Sequence, residues 1–500
     1  MKDKVVLFFP PYSGKALGPP MSLLSLATPL EQAGFEVGLI DAAVEPDYLK
    51  RIQDEIKGAL CFGVSLLTGP MILQAIEASK LVRRLRPDLP IVFGGWHPTL
   101  LPEQTLESNY IDIVVRGQGE LTFVQVAERL HAQVSLADVA GISFKDGSRV
   151  VHNPERPVTN VNKLPKPAYH LVDVDAYERA CGTRKTVYAS SVGCPYACNY
   201  CTDTVFYSRK FNALTPARVV SEVTELVRRY RLEEVSFLDS NFPVDVKRAV
   251  AIAHGFIESG VRFRWTFQAS TDLLCRMSDD DVRLLGQAGV SHIGFGTESA
   301  SDEVLQWMNK PHQKIADMFV AARKCRLADV KVTFNLIIGY PGETDRHRAE
   351  TLRVMGEISR QFPNVSFSPN IFTPYPGIAV WDKLRELGMK EPRSLEEWAN
   401  MPLGKNLLPW LQGKEYQRAK RMLTYFVLNH QIRRLANRSA LSPLRRRLWL
   451  ALTGPLTWRL RRKFYRFPIE LWMIRFKNQF ALRRSLLTGQ SLGRDLEKIC

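Results

Sequence analysis

Residues 186–201 read TVYASSVGCPYACNYC, a short apolar run that breaks into small residues and then into three cysteines, Cys194, Cys198 and Cys201, within eight positions. Residues 187–190 predict a strand, so the thiols sit in the loop that leaves its carboxyl end. Three thiols in one short loop can hold three irons of a cubane cluster and leave the fourth iron without a protein ligand. A structural zinc ion would want a fourth ligand to close its tetrahedron; it and chance spacing are the alternatives at this level. The other cysteines, at 61, 181, 275, 325 and 500, are scattered and read as buried or incidental thiols. In a reducing compartment such a cluster suits metal better than disulfides.

Downstream, strand-like runs recur at residues 234–238, 263–267, 292–296, 332–338 and 366–371, with helical patterns such as 216–230 and 279–288 between them. Six βα repeats predict a partial (β/α)6 barrel over residues 183–385, with its active face at the carboxyl ends of the strands. Those ends carry Leu238-Asp239-Ser240-Asn241, Gly296-Thr297-Glu298-Ser299 and Ile338-Gly339-Tyr340-Pro341-Gly342-Glu343. Asp239 also reads as a turn cap, Ser299 as a helix N-cap, and the last segment as a plain sharp loop.

Upstream, apolar runs at 5–9, 37–40, 60–64, 91–93 and 113–115 alternate with helical stretches such as 72–85. This rhythm predicts a Rossmann-like α/β domain over residues 1–140. Its strand ends carry Ser65, Thr68 and Gly69, then Gly94, Gly95, Trp96 and His97, then Gly117, Gly119 and Glu120. Ligands bind at such ends in open parallel sheets. Residues 141–182 read as a linker with a hairpin around Asp146-Gly147 and prolines at 154, 157, 165 and 167.

The chain carries net charge +17, yet residues 401–500 alone hold 22 Lys and Arg against four acids. The excess belongs to a helical, basic C-terminal region, residues 386–500, where Arg445-Arg446-Arg447-Leu448-Trp449 and Leu471-Trp472-Met473-Ile474-Arg475 interleave cations with aromatics. Peripheral contact with an anionic membrane and a helical cap on the barrel are the leading readings, with nucleic acid the least favoured partner. The opening apolar run is too short for a secretory signal, and no stretch reaches the ~18 apolar residues of a spanning helix, so a cytoplasmic protein, membrane-surface associated if the tail binds lipid, is expected.

The pattern Cys194-x-x-x-Cys198-x-Tyr200-Cys201, with the strand ends that follow it, resembles the signature of the radical S-adenosylmethionine (SAM) superfamily. The turns of the first domain resemble the cobalamin-binding domains that precede some of these barrels. The resemblance implies a 4Fe-4S cluster on the three cysteines, and SAM contacts at Tyr200, Asp239, Ser240, Glu298, Ser299, Gly339 and Tyr340. It also implies cobalamin contacts at Ser65, Thr68, Gly69, Gly94, Gly95, Trp96, His97, Gly117, Gly119 and Glu120. An external one-electron reductant would drive reductive cleavage of SAM to a 5'-deoxyadenosyl radical. The activity implied is methylation of an unactivated carbon of a small-molecule or lipid-like substrate. Radical oxidation or cyclisation of a tetrapyrrole or lipid-like substrate, and a non-enzymatic corrinoid sensor, are the alternatives. The family's axial-histidine motif, Asp-x-His-x-x-Gly, is replaced here by Asp41-Ala42-Ala43-Val44-Glu45-Pro46, leaving His97 as the one nearby imidazole considered.

Overall fold

A computed structural model describes residues 3–11, 18–401, 408–436, 443–462 and 464. The first sheet contains β1 (Lys4–Phe9), β2 (Glu36–Asp41), β3 (Ala59–Ser65), β4 (Ile91–Gly94) and β5 (Ile113–Val115), in the order β2-β1-β3-β4-β5, all parallel. The chain order reverses between β1 and β3, which opens a crevice at their carboxyl ends where ligands bind in sheets of this kind. Val5, Val6, Leu7, Phe8, Phe62, Ile91 and Phe93 are buried, as strands covered on both faces require.

The hairpin expected in the linker forms from β6 (Ile142–Asp146) and β7 (Arg149–His152), but it is not a free connector. β6 pairs antiparallel with β5 and extends the sheet to seven strands. Covering the β5 edge satisfies backbone groups that would otherwise template aggregation.

A minor antiparallel pair, β9 (Ser191–Val192) with β10 (Asn212–Ala213), brackets the cysteine loop. The second large sheet contains β8 (Lys185–Tyr188), β11 (Glu234–Phe237), β12 (Arg264–Ala269), β13 (Val290–Glu298), β14 (Lys331–Ile338) and β15 (Val365–Ile371). Its six strands run parallel in chain order, the open partial barrel expected. Trp265 anchors the core against Phe237, Phe242 and Phe267, and its indole N–H donates to the Ala288 carbonyl at 2.8 Å. Two of the barrel helices start at sequence-encoded caps. Thr215 caps Pro216–Tyr230 with proline at the first turn, and Ser278 and Asp281 form a capping box on Asp279–Gln287.

Beyond β15 the regular elements among the described residues are all helices. Gly413–Ala436 packs on β15 and on helix Asp345–Gln361, with Phe426 edge-on to Phe367 at 5.2 Å, and pairs with Pro443–Arg462. This part of the basic region is therefore a cap on the barrel's last strand, while Leu471-Trp472-Met473-Ile474-Arg475 lies outside the described residues. No helix among the described residues is long and apolar enough to cross a membrane. The cap is pinned by Arg348, whose fully buried guanidinium meets Glu343 at 3.4 Å, Asp345 at 2.9 Å and Glu415 of the cap at 2.9 Å. Removing one partner of a buried ion network strands the others, so Arg348→Ala is expected to cost about 3–5 kcal/mol. A clearly lowered thermal midpoint in calorimetry checks this.

Candidate functional site

The cysteine loop is tied to the barrel residue by residue. Asn199, between Cys198 and Tyr200, donates its amide to the Trp307 carbonyl at 2.7 Å and accepts the Tyr340 hydroxyl at 2.7 Å. Its backbone N–H reaches the Met308 carbonyl, and Asn309 donates to the Ala197 carbonyl at 2.7 Å. On the other side Tyr196 stacks on His312 at 3.6 Å and hydrogen-bonds Asp272. Asn241, at the end of β11, places its amide 3.9 Å from the Cys194 sulfur. The loop is thus held from the ends of four different strands.

All three thiols are free and at least partly buried, and each feels its neighbours electrostatically. Burial raises them all, Cys201 to about 12. Among the described residues no three His, Cys, Asp or Glu side chains converge on a single ion. A cubane fits, because each thiolate binds its own iron and metal coordination removes the thiol proton.

Beside the loop lies a buried polar group that sequence reading only half predicted. The Tyr200 hydroxyl donates to Glu298 Oε1 at 3.1 Å, and Lys310 Nζ meets the same oxygen at 3.1 Å and the Gly296 carbonyl at 2.6 Å. Burial works against the Lys310 charge, but Glu298 and the nearby thiols outweigh it and hold its pKa above the ordinary value. Glu298 has φ of +57° and sits where the pairing of β13 with β14 slips register. Lys310 went unpredicted because it lies in a loop, Asn309-Lys310-Pro311, whose burial no local pattern reveals.

The other expected SAM contacts divide. Asp239 is buried and spends its oxygens on the Ser190 N–H at 3.0 Å and on the Ser190 and Ser191 hydroxyls, which makes it a clamp on the end of β8. Ser299 pairs with Thr351 at 3.1 Å. Gly339, with φ of +84°, lies under the C-terminal segment: a Cβ there would stand 2.8 Å from Leu411, and its carbonyl accepts from Trp410. Tyr340 is the strut to Asn199 just described. Ser240 hydrogen-bonds Asp203, two residues past Cys201, and faces a cavity.

That cavity, about 460 Å³, lies between the strand ends of the two sheets. Ser65, Gly94, Gly95, Trp96, Gly117, Gly119 and Glu120 line one wall; Val192, Phe206, Tyr207, Leu238 and Ser240 line the other. Trp96 stacks on Phe206 at 4.5 Å, joining the first domain to the segment after the cysteines. Gly95 adopts φ of +94°, and a Cβ there would fall 2.6 Å from the Leu66 carbonyl, so only glycine leaves this wall clear. Thr68, Gly69 and His97 do not line it. Thr68 and His97 bond each other at 3.0 Å, and His97 is enclosed beside Trp398. Ala43 does line the cavity, presenting a methyl where the axial-histidine motif would present an imidazole. These residues fit a corrinoid that receives no axial imidazole from this chain's loop.

The sequence comparisons agree with this division. The B12 binding domain model matches residues 13–127, and the Radical SAM superfamily model matches residues 188–355. An uncharacterized methyltransferase of Pyrococcus horikoshii is 29% identical over 392 residues, covering 76% of this chain and 82% of that protein. An anaerobic magnesium-protoporphyrin IX monomethyl ester cyclase of Cereibacter sphaeroides is 26% identical over 385 residues, covering 74% of this chain and 60% of that one. The solved structure of the radical SAM methyltransferase TsrM from Kitasatospora setae, with cobalamin and a 4Fe-4S cluster bound, superposes with a TM-score of 0.67 at 16% identity. That alignment covers 92% of this chain and 99% of that one, and shows a shared fold.

Two outcomes follow. Asn199→Ala removes two loop hydrogen bonds at an expected cost of about 1–3 kcal/mol; iron retained per chain after anaerobic reconstitution falls, as a colorimetric iron assay would show. His97 is held neutral by burial, its pKa pushed from 6.5 down to about 3. The unfolded chain takes up that proton below 6.5, so this share of stability is full above 6.5 and drains away as pH falls toward 3. The stability gap between the native chain and His97→Gln should therefore narrow on acidification, as urea unfolding at several pH values would record.

Proposed function

Because the chain belongs to the radical SAM enzymes that carry a B12-binding domain, we propose that it methylates an unactivated carbon of an apolar, lipid-like small molecule held between its two sheets. The observation that carries this reading is the cavity with one wall from each domain, which ends at Ser240 beside the cysteine loop. Cys194, Cys198 and Cys201 would hold the cluster, and together the cluster, SAM and cobalamin supply one-electron cleavage chemistry and a methyl carrier.

The protein's own share is placement and exclusion of water. Glu298, fixed by Lys310, keeps carboxylate lone pairs in a buried position where ribose hydroxyls of SAM can donate to them. Tyr200 and Asn199 tie the loop to Glu298 and Tyr340, which would hold its three sulfurs in place around a cluster. Leu238, Val192, Phe206 and Tyr207 present carbon to the cavity. An apolar substrate gains by covering them, whereas a charged one would give up hydration there without a partner. Gly94, Gly95, Gly117 and Gly119 keep the opposite wall low enough for a flat macrocycle.

The similarity to the cyclase supports a second reading, radical oxidation or cyclisation of a tetrapyrrole or lipid-like substrate. Product mass separates the two, one added methylene against loss of hydrogen or gain of oxygen. The first test is anaerobic reconstitution with iron, sulfide and hydroxocobalamin, followed by mass spectrometry. The native chain is expected to yield 5'-deoxyadenosine with strong reductant and Cys198→Ala none. In the reduced, paramagnetic corrinoid state, electron paramagnetic resonance should show no imidazole nitrogen coupling from the protein. A nitrogen coupling that persists in the holoprotein and is lost in His97→Gln would overturn the account of the axial face.

A further inference from the structure

Asn241, just past the end of β11, and Ser270, just past the end of β12, are buried together beside the cysteine loop. An asparagine amide can be turned either way by its own chemistry, but the surroundings of Asn241 allow one orientation. The Ser270 backbone N–H can only donate, so the Asn241 atom it meets at 3.1 Å is the carbonyl oxygen. That leaves the amide nitrogen facing Cys194 Sγ at 3.9 Å and the Ser270 hydroxyl at 3.3 Å. The hydroxyl gives its one proton to Asp272 at 2.7 Å, and toward Asn241 it therefore accepts. Asp272 in turn receives the Tyr196 hydroxyl and, at 3.1 Å, the Arg276 guanidinium. The contacts form a ring that leaves the loop at Cys194 and returns to it at Tyr196, and their sense delivers an N–H to the sulfur.

An N–H aimed at a cluster sulfur matters most when an electron arrives. Reduction of a 4Fe-4S cluster adds negative charge that its sulfurs share, and hydrogen bonds to those sulfurs are one of the levers on its potential. A hydrogen bond to the more negative state is the stronger one, and in a buried setting little water competes with it. The Asn241 contact thus favours the reduced cluster over the oxidised one.

We propose that Asn241 is a positioning residue for electron uptake: acting through Cys194 Sγ, its amide raises the reduction potential of the cluster. An external one-electron reductant then loads more readily the single electron that cleavage of SAM consumes. The inference rests on the reading of Cys194, Cys198 and Cys201 as cluster ligands. Ser270 keeps the amide from turning over through its backbone N–H, which a change of its side chain leaves in place.

The test reconstitutes the full chain anaerobically with iron and sulfide and follows the reduced cluster by electron paramagnetic resonance during a potentiometric titration. Four chains are compared: native, Asn241→Ala, Asn241→Asp and Ser270→Ala. Asn241→Ala removes the N–H, and Asn241→Asp keeps the shape but turns an oxygen toward the sulfur. Ser270→Ala opens the same ring of hydrogen bonds and spares the contact with Cys194. Loss of the N–H is expected to lower the reduction equilibrium constant about tenfold, a fall of about 59 mV for a one-electron couple. Asn241→Asp should fall at least as far, and Ser270→Ala should stay at the native value. Iron retained per chain verifies that intact clusters are compared. Equal potentials in the native and both Asn241 chains overturn the proposal. So does a Ser270→Ala shift as large as that of Asn241→Ala, which would make the ring a structural support only. A native chain that takes up no cluster would overturn the reading of the three cysteines and this inference with it, a result distinct from a cluster whose potential ignores Asn241.

Discussion

Lys310 and Glu298 hold each other in a space that admits almost no water, and the rim of the second sheet depends on that pairing. Either charge alone would be untenable there, since an unpaired buried ion costs several kcal/mol, about as much as a domain's whole margin of stability. Together they fix a residue in left-handed backbone at the point where β13 slips register against β14. Lys310 also ends the short turn whose Trp307, Met308 and Asn309 grip the cysteine loop. One ion pair thereby sets both the carboxylate that faces SAM in the proposed site and the loop that carries the sulfurs.

The two parallel sheets contribute in different ways. In the first, crossover topology leaves a crevice, and small residues keep it open. In the second, side chains from successive strand ends converge on one loop. The facing rims meet through the Trp96, Phe206 and Tyr207 rings, which pack the wall of the cavity directly on the segment after Cys201. A site between two rigid sheets can hold two large cofactors at a fixed separation without a long mobile loop.

Much of this architecture was legible from sequence, for a physical reason. Strands buried on both faces must be nearly continuous apolar runs, so the central strands such as β1, β3 and β4 stood out, and glycine at 95 and the cysteine triplet have few other uses. What stayed hidden depends on tertiary direction. Asp239 and Ser299 have the right chemistry at the right strand ends, yet their polar atoms turn to Ser190, Ser191 and Thr351. His97 lies next to a cavity-lining residue but starts a helix that carries it to the far side, against Thr68 and Trp398. The hairpin after β5 was visible as a hairpin, but its docking on the sheet edge was not, because edge pairing leaves no mark in the hairpin's own residues. Lys310 and Asn199 acquire roles only from partners more than ten positions away.

The turn at Gly339 has a consequence for how this protein can be divided. Its carbonyl is held by Trp410, its Cα lies under Leu408 and Leu411, and the same turn continues into the Glu343, Arg348 and Glu415 network. The barrel therefore borrows the underside of one of its strand-end turns from residues far beyond its last strand. A catalytic core excised just after β15, as modular boundaries would suggest, would expose that underside, and fusions or transplants of this barrel between scaffolds must carry the C-terminal cap with them.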